Sequence, residues 1–127
     1  MTQDRPTAAE LVRAVREFLE GDVMAATEGR VQFHTRVAVN ALGMIERELT
    51  DGPGFVAAER ERAAAILEHD ISGHAGDARD LEIELAAAIR NGSLDDRLDA
   101  VRDHVRATVR EKLLVANPGY LPPDPSA

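Results

Sequence analysis

The chain has 127 residues, 15 of them basic and 23 acidic, a net charge of -8, 44% hydrophobic residues and no cysteine. That length and apolar content suit one domain with one core. The acidic balance argues against nucleic acid or an anionic membrane as partner, and the missing cysteine excludes disulfides, thiolate zinc sites and cysteine catalysis.

The opening, Met1 to Pro6, has no basic-then-apolar signal and reads as an N-terminal arm of a cytoplasmic protein. Residues 7–117 read as a helical bundle domain. Thr7-Ala8-Ala9-Glu10 has the form of a capping box, and Leu11, Val15, Phe18 and Leu19 follow as one apolar stripe, with Gly21 as the stop. A second helix is expected from about Glu28 to Leu49. Its core face is Val31, Ala38, Leu42, Ile45 and Leu49, widened by Val37, Ala41 and Met44. Asp51-Gly52-Pro53-Gly54 is expected to end it, since neither glycine nor proline suits a helix interior. A third helix follows from about Phe55 to Glu68, with Val56, Ala63, Ile66 and Leu67 inward. Residues 72–76 read as a loop. The fourth helix covers about Ala78 to Arg90, carrying Leu81, Leu85, Ala88 and Ile89. The fifth runs from near Ser93 to Ala116 on Leu94, Leu98, Val101, Val105, Val109 and Leu113. Residues 118–127 form a proline-rich tail.

Twenty-one alanines and only four aromatic residues favour helix over a sandwich or barrel. Amphipathic helices joined by short loops bury their stripes best side by side, so the expected fold is all-α: a single-domain antiparallel bundle of about five helices. No apolar run approaches the ~20 residues of a membrane helix.

Catalytic signatures are missing. There is no GxxxxGK[ST], GxGxxG, GxSxG or HExxH, and no glutamate stands three residues before any histidine. These absences weigh against a self-sufficient enzyme, and no cofactor is expected. His69, Asp70, His74 and Asp77 fall within nine residues and offer nitrogen and oxygen ligands, so a small metal-binding protein is one reading; a solvated helix end is the other.

The second helix carries a further stripe. At 100° per residue Arg36, Asn40, Gly43 and Arg47 cluster away from the core face, bordered by Phe33 and Val39. Gly43 costs about 1 kcal/mol of helix propensity relative to alanine. Such a notch suits the close approach of a partner or ligand; the alternative is that the stripe is paired inside the protein. His34 projects from the apolar face one turn after Arg30. On the last helix Arg102, Arg106 and Arg110 recur at i, i+4, i+8, with Asp99 and Asp103 placed for ordinary surface pairing. Lys112, the single lysine, points along the apolar seam, where it can bind the last helix carbonyls or reach a polar ligand.

Two stretches, Glu28 to Leu42 and Ala107 to Leu121, together with Arg5 to Val12, resemble a family of small bacterial helical proteins known only as a domain of unknown function. Members of that family are typically encoded beside a kinase of the aminoglycoside-phosphotransferase type and an acyl-CoA dehydrogenase. One branch resembles the small partner of the 4-hydroxyacyl-CoA kinase of levulinate breakdown. The resemblance therefore implies a noncatalytic accessory subunit for a kinase acting on a hydroxyacyl-CoA. The acyl-CoA dehydrogenase is a further expected partner. Residues 51–80 match the pattern least and carry nothing over.

The expected partner- or ligand-binding residues are Arg30, His34, Arg36, Asn40, Arg47, Lys112 and Asn117. Two alternatives stand beside the accessory role. One is a structural homodimer joined through the second helix's polar stripe. The other is a metal protein built on the His69/His74 loop.

Overall fold

A computed structural model of the protein describes residues 4–69 and 76–123. Among the described residues the chain is all-α, with no strand. Four helices account for most of it: α1 (Ala8–Phe18), α2 (Gly29–Ile66), α3 (Ala78–Arg90) and α4 (Leu98–Ala116). The chain divides into two compact units. One comprises Met1–Gly52 with Val115–Tyr120, and the other Pro53–Leu114 with Leu121–Ala127.

In the first unit Thr7 caps α1, its hydroxyl accepting from the Glu10 amide at 3.2 Å. The expected stop at Gly21 does not occur. α1 continues through a π turn, Leu19–Val23, and a last helical stretch, Met24–Ala26, before Thr27 turns extended. One glycine costs only about 1 kcal/mol inside a helix, and the half-buried Leu19 and Val23 supply packing on either side of it. Gln32 then pins the turn, its amide donating to the Met24 and Thr27 carbonyls at 3.2 and 3.0 Å. Gly29, at φ +62°, sits where the chain reverses.

The second and third expected helices are one. α2 runs for 38 residues with Pro53 inside it. Pro53 lacks only the amide that would bond the Leu49 carbonyl, and residues on both sides keep helical period. Gly52 is buried beneath the Glu48 side chain; a Cβ there would stand 2.7 Å from Glu48 Oε1. The Asp51–Gly54 tetrad therefore interrupts one hydrogen bond rather than the helix.

The first unit pairs α1 with residues 29–52 of α2 in antiparallel fashion. Arg13 and Arg16 meet Glu46, while Leu19 lies by Arg30, Val31, His34 and Ala38. The side of α2 that is turned inward only partly overlaps the one the apolar pattern predicts, sharing Ala38 and Leu42 with it. Thr35 and Gly43 are buried, and Ala38, Val39, Leu42 and Glu46 are half-buried. Val31, Val37, Met44, Ile45 and Leu49 are exposed, as are Leu11, Val15 and Phe18 on α1. No large apolar side chain of this unit is fully buried among the described residues. Helix contact here is made by small and polar residues with ion pairs, so the greasy stripes are left outside.

The second unit has the ordinary core. Ala63, Ala64 and Leu81 form one cluster, and Ile66, Leu85, Leu94 and Val101 another, with Leu67 packed against both. α3 starts on an Asp77 capping box and ends at Asn91, followed by Gly92 at φ +81°. The next helix begins later than the sequence suggests: a 3₁₀ turn, Asp95–Arg97, precedes α4. Val56, Ile89, Leu98, Val105 and Val109, expected inside, are exposed; His104 takes the buried place on α4. Arg97 Nη1 donates to the Ile66 carbonyl, one of those left open at the end of α2.

Candidate functional site

Residues of the first unit line a groove of about 800 Å³ that includes Asn40, Gly43, Arg47 and Asn117. Its floor is a three-way ion pair. Glu46 accepts from Arg13 Nε at 2.7 Å through one oxygen and from Arg16 Nε at 2.9 Å through the other. Arg16 also reaches Glu20 Oε2 at 2.9 Å. Hydrogen bonds from Arg13 and then Arg16 hold the Glu46 carboxyl below the usual carboxylate range, and the same bonds raise both guanidinium groups.

Arg47 has an internal task. Its Nε donates 2.7 Å to the Val115 carbonyl, next to the last residue of α4. That carbonyl has no partner within its own helix, and a cation belongs at a helix C-terminus. Arg47 thus takes the role that Lys112 was offered. Lys112 itself is exposed and makes no ion pair among the described residues. The notch at Gly43 is filled from within as well. A Cβ there would stand 3.3 Å from Arg47 Nη1 and 3.9 Å from Arg16 Cδ. Two arginine side chains fold across the helix at 43, and only the flexible end of Arg47 comes close enough to crowd a Cβ.

Arg36 and Asn40 are different. Both are exposed, on the same side of α2 as Arg47, and neither has a partner among the described residues. Asn117 joins Asn40 on the groove wall. Arg30 and His34 do not belong to this groove. They line a separate, mostly apolar hollow of about 430 Å³ with Leu19, Val31, Thr35 and Ala38. His34 is exposed and meets Phe33 edge-on, with ring centroids 5.4 Å apart.

The groove is lined by Arg13, Arg16 and Arg47 and, against them, by Glu20, Glu46 and Asp51. Three positive and three negative side chains leave no net field to gather a polyanion. The arrangement suits hydrogen bonding to a polar protein surface better than capture of CoA phosphates.

Among the described residues no group of three histidine or acidic side chains could hold a metal ion, and of the histidine–aspartate cluster only His69 and Asp77 are described. His69 Nε2 lies 2.8 Å from Glu84 Oε1, and Asp77 is occupied as the N-cap of α3, accepting from the Asp80 amide at 2.8 Å. Asp70 and His74 lie outside the described residues. Of the arginine row on α4, Arg102 pairs loosely with Asp99 at 3.8 Å, both exposed, and Asp103 makes no pair with Arg106.

The most developed polar network was not legible in the sequence. In the second unit Arg62 reaches Glu111 through both terminal nitrogens, at 2.8 and 2.9 Å, Thr108 Oγ1 at 3.2 Å and His104 Nδ1 at 3.3 Å. Since Nδ1 accepts from Arg62, the ring proton sits on Nε2, which donates 2.6 Å to Glu82 Oε1. Both nitrogens of the buried His104 are thus in use, and no lone pair is left for a base. Glu111 chiefly raises the Arg62 guanidinium. One signal was available: Arg62 is the last charge before the apolar run Ala63 to Leu67, a position where a charge needs a partner.

Residues 25–120 match the family described as a domain of unknown function, DUF6285. The chain belongs to this family. The match includes α2, α3 and α4 entire, and so every α2 residue of the groove together with Asn117. No curated protein matches the chain, and no solved structure does. No helix among the described residues is long and apolar enough to cross a membrane.

Proposed function

We propose that this DUF6285 member is a noncatalytic accessory subunit that docks on a kinase of the aminoglycoside-phosphotransferase type acting on a hydroxyacyl-CoA. One observation carries the reading: Arg36 and Asn40 stand exposed and, among the described residues, unpartnered beside a groove whose charged residues are paired internally or balanced. An unpaired guanidinium and an unpaired amide on a rigid helix give a fixed set of donors for a partner's carboxylates and carbonyls. Asn117 adds a third polar group on the same wall. The genomic company of the resembled family supplies the partner's identity, with an acyl-CoA dehydrogenase as the second protein of that setting. The second unit's occupied His104 supports a role without chemistry of its own.

Co-expression with a kinase of that type tests the reading. The expected result is co-purification in defined stoichiometry, with affinity reduced at least tenfold in Arg36→Ala and in Asn40→Ala and unchanged in Lys112→Ala. Equal binding by Arg36→Ala, Asn40→Ala and the parent chain would overturn it.

A further inference from the structure

An exposed stripe of α2, which skirts the Leu19 hollow at Arg30 and His34, carries a second pattern, independent of the kinase reading. Arg30, His34, Val37, Ala41, Met44 and Glu48 follow one another at spacings of four and three, the repeat of a coiled-coil seam. All six are exposed. On the shoulders stand Phe33 and Ile45, and among the large apolar members Phe33, Val37, Met44 and Ile45 are 40 to 60% exposed. A purely solvated helix face would not keep four such side chains in water.

We infer that this stripe is the contact between two copies of the chain, α2 against α2 in antiparallel register about a two-fold axis near position 39. The stripe is self-complementary in that register and no other. Arg30 of one copy faces Glu48 of the second, and the reverse pair closes the far end. His34 faces Met44, and Val37 faces Ala41. Large meets small or flexible at each layer, and the only charges on the stripe are opposite in sign and meet each other. Antiparallel helices also oppose their dipoles. A parallel pairing sets Arg30 on Arg30 and Glu48 on Glu48.

The area agrees. The four half-exposed apolar side chains leave roughly 80 Å² each, about half of what a large side chain can bury. With His34, Ala41 and the stems of Arg30 and Glu48, each copy offers about 600 Å². Two copies bury about 1,200 Å², the lower bound of standard stable interfaces, so a dissociation constant in the micromolar range is expected. Met44 also lines the polar groove, so the contact reaches the groove's edge, while Arg36 lies about 120° round α2 from the seam and stays open.

Light scattering on the full chain at a concentration well above micromolar gives the first test, with twice the 13.8 kDa chain mass expected. Register is tested by cross-linking, since the chain has no cysteine of its own. A mixture of Arg30→Cys and Glu48→Cys chains is expected to form a disulfide-linked heterodimer under mild oxidation. Either variant alone is not, because like positions lie about 27 Å apart along the helices. Arg30→Glu is expected to weaken the dimer about fivefold, and Arg30→Glu with Glu48→Arg to restore it. A monomer at high concentration, or a dimer that cross-links equally well in the single-variant samples, would overturn the inference. So would a monomer that binds only an added kinase.

Discussion

Replacing Arg62 by methionine tests the second unit's polar network. Methionine keeps much of the stem's volume and removes every donor. Four hydrogen bonds disappear: two to the Glu111 carboxylate, one to Thr108 and one to His104. Glu111 then keeps its charge at a site where its side chain is only 17% exposed. Breaking a fully buried ion pair costs about 3–5 kcal/mol, and an exposed one about 0–1. Arg62 is 26% exposed, so the cost falls between these limits, at about 2–3 kcal/mol. Urea unfolding followed by helical circular dichroism reads this as a lower midpoint at unchanged slope. The double variant with Glu111→Gln is expected to recover part of the loss, because the stranded charge is then gone. A loss below about 0.5 kcal/mol, or strict additivity of the two variants, would refute the assignment of this network as a coupled, partly buried unit.

Three further outcomes follow from other contacts. Because Arg13 and Arg16 depress the Glu46 carboxyl, its contribution to stability is complete above the unfolded carboxylate range and is lost as pH falls through the folded value; Glu46→Gln should flatten that acid limb in a pH series of thermal melts. Gly43→Ala should be neutral or stabilising by up to about 1 kcal/mol, since only the flexible end of Arg47 must give way, whereas Gly43→Leu should destabilise by displacing Arg47 and Arg16; chemical denaturation distinguishes these. Glu68 holds φ +60° where α2 ends, with the His69 amide bonded to the Ala64 carbonyl at 2.9 Å, so Glu68→Gly should raise the second unit's stability by about 1 kcal/mol in the same assay.

Helix type was legible because it rests on local signals. The limits of α3 came from a cap and a glycine, and both act within a few residues. The end of α2 was not, because a proline removes one bond and cannot say whether the flanking period outweighs that loss. Core membership failed in the first unit for a different reason. Of the expected core face Ala38 and Leu42 are half-buried, but Val31, Ile45 and Leu49 are exposed, because α2 is turned so that the Glu46 carboxylate meets two arginines of α1. Periodicity finds stripes but not which stripe a neighbour occupies. For the site, Arg36 and Asn40 keep the open placement expected of them. Arg47 and Gly43 do not, because the Val115 carbonyl and Arg16 come from positions far along the chain that no local pattern connects to them. The Arg62 network spans separations of 42 to 49 residues and left the same kind of blank.

The most direct measurement is titration calorimetry of the purified chain into a hydroxyacyl-CoA kinase of the aminoglycoside-phosphotransferase type. The account predicts saturable binding that Arg36→Ala with Asn40→Ala abolishes while the variant's helicity and melting temperature stay unchanged. Binding of undiminished strength by that folded variant, or no heat with the parent chain, would contradict it.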